Sequence, residues 1–234
     1  MRALIAIAAL AALVAGASGL SRTGLADVDT VAVTGSVRQP VDEILAASGI
    51  SPGQPLLGLD EATAVSTVSA LPWVAEASVT TDLRSGDVVV HVVERTPVAV
   101  LSGGPEGPWM VVDGSGRVVA PLTPGEDGLA FIEGAAPSAP ATDLPEGPAR
   151  EALQVAQSLT PGLTSRVEAL VVTETGSVHL RLVPGGTAVV GDSSRLDEKI
   201  PALQTVLAEI DLACSPSIDV TSGRTVRVTR GACG

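Results

Sequence analysis

Residues 88–97 read VVVHVVERTP, and the fold can be worked outward from them. Val88 to Val93 are valines apart from His91, apolar on both faces of a pleated strand. Glu94, Arg95 and Thr96 then bring in charge, and Pro97 removes the next backbone donor. A carboxylate beside a guanidinium raises the question of an acid/base pair. Neighbours on a straight strand point to opposite faces, so the two cannot converge on one substrate. The pair is expected as solvated charges at a strand end, each open to contact with a partner surface. Upstream, VAEASVTTDL (74–83) alternates Ala75, Ala77 and Val79 with polar neighbours, and RSGD joins it as a hairpin to a strand over 88–101. QPVDEILAASG (39–49) predicts a helix with Pro40 in its first turn, Asp42 and Glu43 near its positive end and Gly49 closing it. DEATAVSTVSALP (60–72) predicts a second helix, capped by Asp60, with Ala62, Val65, Val68 and Leu71 as its apolar stripe and Pro72 ending it. VDTVAVTG (28–35) reads as a strand that pairs with the hairpin, so that both helices cover one face of a three-stranded sheet. The order β-α-α-β-β gives a small α+β domain over residues 28–101.

After the Gly/Pro-rich linker SGGPEGP (102–108) the pattern changes, and residues 109–234 read as a mostly antiparallel β domain with two helices. Short strands are expected at 109–113 and 117–120, joined by GSG, and at 129–134. A proline-rich loop follows at 136–148. A helix near 149–159 carries Leu153, Ala156 and Leu159, and TPG (160–162) stops it. Strands at 167–175, 177–183 and 187–191 precede a helix over 193–211 with Leu196, Ile200, Leu203, Leu207 and Ile210 on one stripe. Pro201 falls inside that helix, so a kink or a later start is expected. SIDV and RTVRV close the chain as a hairpin around TSG. If Val220 faces Val226, paired residue numbers sum to 446, and Cys214 and Cys233 fall almost opposite each other. That register predicts a disulfide, Cys214–Cys233, contributing about 3 kcal/mol or less because its loop is short.

The first twenty residues carry the topology. Arg2 precedes an uncharged run, Ala3 to Leu20, of a length that can span a bilayer as a helix. Read as a signal anchor, 1–2 are a cytoplasmic stub, 3–20 the span and 21–27 a linker. The rest is placed outside by Arg2 before the span and Asp27 and Asp29 after it. AGA (15–17) offers the alternative of a cleaved signal peptide. Both place the bulk of the chain where disulfides persist.

Composition narrows the function further. The 234 residues carry a net charge of −12, one lysine (Lys199), two histidines, three aromatics and no tyrosine. A nucleic-acid binder needs a basic stripe and stacking platforms, and neither is present. DGSGR (113–117) starts like a calcium loop, but its twelfth position is Pro124, so it is read as a hairpin turn. His91 is expected as a core or edge histidine and His179 as solvent-facing. No GxSxG, phosphate loop or metal-ligand cluster occurs. The sequence predicts no catalytic residue, no cofactor, no metal and no small-molecule substrate.

Taken together, the motifs resemble the FtsQ/DivIB family of bacterial cell-division proteins. An FtsQ-type POTRA domain has a strand ending in Gly (Gly35), a helix before "SGI..G.PL" (Gly49, Gly53, Pro55, Leu56), a helix ending "LP.V..A.V" (Leu71, Pro72, Val74, Ala77, Val79) and a strand ending "V.ERTPVA" (Glu94, Arg95, Thr96, Pro97). VVDGSGRVV is similar to the hairpin that opens the family's β domain, and VVGDSSRLDEKIPALQTVLAEI with SIDV is similar to its closing helix and strand. The resemblance covers residues 25–230 in order. It implies a short cytoplasmic tail, where this sequence has almost none, one span, a POTRA domain and a β domain outside the membrane at the division septum. It implies a non-enzymatic scaffold that binds FtsB/DivIC- and FtsL-like proteins, with the septal peptidoglycan synthase as a further candidate partner. In the family the resemblance implies, the partner adds a strand to the exposed edge near the C-terminal end of the β domain. The matching residues are Arg224, Thr225, Val226, Arg227, Val228, Thr229 and Arg230, with Ser217, Ile218, Asp219 and Val220 beside them. The arginines would equally protect an ordinary edge from aggregation. The Cys214–Cys233 pair is no part of the family motif. An exported POTRA-bearing module of another pathway, after signal-peptide cleavage, is the alternative. The Ala-, Val- and Gly-heavy composition points to a GC-rich, actinobacterial source.

Overall fold

The computed structural model describes residues 27–102, 108–123, 128–136, 139–214, 216–229 and 231. The expected span over 3–20, Arg230 and Cys233 lie outside the described residues. Among the described residues no helix is long and apolar enough to cross a membrane. The chain divides between Arg95 and Thr96 into two compact units.

The first unit runs β1 (Thr30–Thr34), α1 (Val41–Ser48), α2 (Glu61–Ser69), β2 (Val74–Asp82) and β3 (Asp87–Glu94). The valine run takes the central place, with sheet order β1-β3-β2. β1 pairs with it in parallel and β2 antiparallel. Val88, Val90 and Val92 face the helices and pack with Ile44, Ala64, Val68 and Val74. Burying each such aliphatic side chain contributes about 1.5–3 kcal/mol. Val89, His91 and Val93 lie on the opposite face, so His91 is exposed and pairs with Thr34, whose hydroxyl lies 2.7 Å from its Nδ1.

Three local expectations change. Pro40 is the N-cap of α1 rather than part of its first turn, because its ψ of 131° is extended. The stripe of α2 that reaches the core is Ala64 and Val68, while Ala62 is exposed. Asp60 caps this helix by accepting from the Thr63 amide. A bulge between Val74 and Glu76 leaves Ala75 exposed and puts Val74 in the core. Gly35 is required where it stands: its φ is +85°, and a Cβ there would lie 2.0 Å from the Val92 carbonyl oxygen.

The strand expected over 88–101 is two strands. β3 ends at Glu94, and β4 (Pro97–Ser102) belongs to the second unit. Pro97 has no amide to continue the first ladder. The second unit continues with β5 (Met110–Asp113), β6 (Arg117–Pro121), β7 (Ala130–Glu133), β8 (Thr142–Asp143), α3 (Pro148–Ser158), α4 (Pro161–Thr164), β9 (Val167–Val172), β10 (Val178–Leu182), β11 (Thr187–Gly191), α5 (Leu196–Glu209), β12 (Ser217–Asp219) and β13 (Arg227–Thr229). Among the described residues one ten-stranded sheet results, ordered β13-β12-β11-β10-β9-β7-β4-β5-β6-β8. The pairs β4–β7, β7–β9 and β11–β12 are parallel and the rest antiparallel. A single core joins Leu101, Ile132, Leu170, Leu180, Leu203 and Ile218 to α3 and α5.

The sequence predicts two helices here; the described residues hold three. TPG does not merely stop α3: Thr160 and Pro161 start the short α4 at once, Pro161 standing where its missing amide costs nothing. α5 does not wait for Pro201: it runs from Leu196 to Glu209 with Pro201 inside. DGSGR is the β5–β6 turn, where Asp113 Oδ1 accepts from the amides of Ser115 and Arg117, both at 2.9 Å.

Candidate protein-interaction edge

The C-terminal hairpin was predicted with paired numbers summing to 446, and the register is Ser217–Thr229, Ile218–Val228 and Asp219–Arg227. Its two strands have different surroundings. β12 lies between β11 and β13, so its backbone is committed on both sides. Ile218 and Val220 are fully buried and belong to the core. Of Ser217, Ile218, Asp219 and Val220, only Ser217 is exposed, and Asp219 is half-buried. β13 ends the sheet, so its outer side carries no further strand among the described residues. Arg227, Val228 and Thr229 are exposed on it, while Val226 is half-buried against the core.

The tip of the hairpin is built locally and then clamped. Asp219 Oδ1 accepts from the Thr221 hydroxyl at 2.7 Å and the Thr221 amide at 2.9 Å. These bonds outweigh burial and, with the charge of Arg227, hold the Asp219 carboxyl below its usual range. The Gly223 amide closes the turn on Val220 O at 2.9 Å. Its φ is +73°, and a Cβ there would meet Glu198 Oε2 at 2.8 Å. Arg195 precedes α5 in a left-handed conformation, φ +53°. From there Nη1 donates to Ser222 O at 2.5 Å and Nη2 reaches Thr221 O at 3.4 Å. Glu198 Oε2 stands 3.9 Å from both Arg195 Nη1 and Arg224 Nε. The start of α5 is therefore a socket for the turn.

That helix start is itself anchored from inside. Lys199 is 1% exposed, and its Nζ donates to Asp192 O at 2.9 Å and Asp192 Oδ1 at 2.8 Å. The Lys199 ammonium and then the Ser194 hydroxyl bring the Asp192 carboxyl down to about 2.

At the other end of α5, Val206, Ile210, Cys214, Pro216 and Val228 line an open groove of about 660 Å³, with Glu209 and Asp211 beside them. Val228, 41% exposed, forms one wall, so the groove adjoins the open edge on the helix-bearing side. Cys214 sits at the groove, on the turn Leu212–Cys214. The hairpin was legible in the sequence pattern, whereas its role as a partner edge came only from the family resemblance. Sequence reasoning missed Arg195, Glu198, Val206 and Ile210 as neighbours of the site, because nothing local in DSSR signals a left-handed arginine and the α5 stripe reads only as core.

The charges at the end of β3 are not merely solvated. Glu94 Oε1 accepts from the amides of Val37, Arg38 and Gln39, each at 2.8 Å, and fixes the loop between β1 and α1. Burial alone would raise the carboxyl, but the amides of Gln39, Val37 and Arg38 and the Arg38 charge hold it below its ordinary value. Arg38 in turn lies 4.5 Å above the Trp73 ring. Glu94 is a structural brace. Among the described residues no group of three or more His, Cys, Asp or Glu side chains could hold a metal ion.

A family model described as the FtsQ-type POTRA domain matches residues 26–95. The chain is 31% identical over 210 residues to the cell division protein FtsQ of Mycolicibacterium smegmatis, covering 86% of this chain and 59% of that protein. It is 31% identical over 210 residues to FtsQ of Mycobacteroides abscessus, covering 89% of this chain and 65% of that protein. FtsQ of Corynebacterium glutamicum is 34% identical over 97 residues, 42% of each chain. The chain thus spans between half and two thirds of the length of the mycobacterial proteins it resembles.

Proposed function

The chain belongs to the FtsQ/DivIB family, and from that membership we propose that it is a non-enzymatic scaffold of the divisome. It is anchored by the apolar stretch 3–20 with its N-terminus in the cytoplasm, and its two units act outside the membrane at the septum. There it binds FtsB/DivIC- and FtsL-like proteins and so helps control septal peptidoglycan synthesis. The observation that carries this reading is the open edge of β13, presented by a hairpin whose tip is clamped and whose flank is an apolar groove. An added strand gains main-chain hydrogen bonds from the edge, while its alternate side chains reach Val228 and the groove. Arg224 and Arg227 stand out in a chain of net charge −12, and they favour a partner segment carrying carboxylates. A disulfide between Cys214 and Cys233 is part of the proposal, bracing the base of the hairpin as Arg195 braces its tip.

The test is capture of membrane proteins from the source organism by the chain and by an edge variant. Val226 precedes β13 and packs on the core, so Val226→Pro would disturb both, and Val228→Asp is cleaner, placing a carboxylate beside Glu209 and Asp211. Small bitopic proteins should come down with wild type and be lost with a Val228→Asp chain whose circular dichroism is unchanged. If the folded variant captures them equally well, the site lies elsewhere. If wild type captures none, the scaffold role does not hold for this chain.

A further inference from the structure

We propose that the first unit rests one end on the bilayer surface through Leu57 and Leu83, an inference that builds on the anchoring proposed above. β1 and β3 run parallel, so this unit has an entry pole, where the chain arrives at Asp27, and an exit pole, where it leaves at Arg95. The entry pole is defined by hydrogen bonds: Val28 N to Gln54 O and Asp29 N to Gly86 O, both 2.8 Å, and a bridge between Asp27 and Pro55. The two turns held there, Leu56–Gly58 and the one between β2 and β3, each carry an exposed leucine. Leu57 is 71% exposed and Leu83 60%, although Leu56, the neighbour of Leu57 in sequence, is buried.

Single exposed aliphatics need no explanation, but two leucines at the same pole coincide with the tether. Six residues, 21–26, separate the apolar stretch ending at Leu20 from Asp27. At no more than about 3.5 Å per residue they reach roughly 20–25 Å. The eight residues of β3 span about 25 Å from pole to pole at about 3.3 Å each. Seating the exit pole on the membrane would therefore stretch the tether to its limit, whereas the entry pole is reached with slack. Asp27, Asp29, Asp82 and Asp87 share the entry pole with Arg84. The contact is apolar, and it suits zwitterionic headgroups better than a strongly anionic surface. It turns the exit pole at Arg95 away from the bilayer.

The full chain in phosphatidylcholine vesicles tests this, with Leu57→Trp, Leu83→Trp and Val37→Trp made singly. Val37 is 90% exposed and lies at the exit pole, so it reports the tryptophan's own affinity for the interface. Vesicle flotation establishes anchoring, circular dichroism the fold, and the parent chain with Trp73 and Trp109 sets the baseline emission. Brominated lipid should quench the added tryptophan at 57 and 83 several-fold more than at 37, with blue-shifted emission at the first two. If the chain floats and the three positions quench alike, or 37 quenches most, the contact is wrong while anchoring stands. If the chain does not float, the anchoring reading fails and takes this inference with it.

Discussion

Replacing Glu94 with alanine removes the common acceptor of three amides, Val37, Arg38 and Gln39, each 2.8 Å from one carboxylate oxygen. A hydrogen bond to a charged group contributes roughly 1.5–3 kcal/mol. The three do not add, because they share an oxygen and because the loop is open enough for water to resolvate the freed amides. Glu94→Ala should therefore cost about 2–3 kcal/mol, one strong bond and part of a second. For a unit of this size each kcal/mol shifts the midpoint by about 4–8 °C, so the first unit should unfold roughly 8–24 °C lower. Glu94→Gln keeps the shape and an acceptor oxygen but discards the charge, and should lose about 1 kcal/mol. The pH dependence separates charge from shape. Because the folded carboxyl titrates below its ordinary value, its contribution is fully present above about pH 4.3 and is lost as pH falls through the lower folded value. The gap between wild type and Glu94→Gln should thus be open at neutral pH and close in acid. Calorimetry across pH, with hydrogen exchange at the amides of 37–39, measures both. A loss under about 0.5 kcal/mol for the alanine variant, the range of an ordinary surface change, would refute the reasoning, as would a gap undiminished in strong acid.

Gly35→Ala should destabilise the first unit by more than about 2 kcal/mol, since both its φ and the nearby Val92 carbonyl oppose a Cβ; denaturant titration reads the loss. Arg195→Ala should leave the fold intact but speed hydrogen exchange at Val226 to Thr229 and weaken partner capture, with partial rescue by Arg195→Lys; unchanged exchange would mean that the clamp holds nothing. Lys199, the chain's one lysine, should resist amine acylation in the native protein and react on denaturation, as mass spectrometry of its peptide would show. Its bridge to Asp192 contributes stability above the ordinary carboxylate range that fades as pH falls through about 2. Asp192→Asn should remove that acid limb at a cost of about 1 kcal/mol or less at neutral pH, because the aspartate side chain is largely exposed.

Much of the fold was legible because hydrophobic periodicity and turn residues speak locally. The valine run, the capped second helix and the tight turns each name their element within a dozen residues. The misreadings occur where a distant partner decides. Ala75 alternates correctly in sequence, but a bulge removes it from the pattern. Val88 to Leu101 looks like one strand because apolar composition continues past Pro97, and only the pairing of β4 with β5 and β7 reveals a second sheet. Glu94 looks like a solvated charge because its three donors lie more than fifty residues away in sequence.

The same division applies to the edge. The sum of 446 was available from the sequence because a hairpin register depends only on its turn, and the structure reproduces it at all three paired positions. What arithmetic within the hairpin could not say is which strand faces outward. That depends on β11, which pairs with β12 in parallel and so withdraws Ser217 to Asp219 from any partner's backbone. The consequence is directional. On the proposed reading a partner strand would add beyond β13, where Arg227, Val228 and Thr229 are exposed, rather than at β12. The tip that orients these three is held by Arg195 at the start of α5. If the proposed edge is the binding site, selectivity there should respond to changes at two places: the side chains of β13 and the start of α5, which clamps the tip.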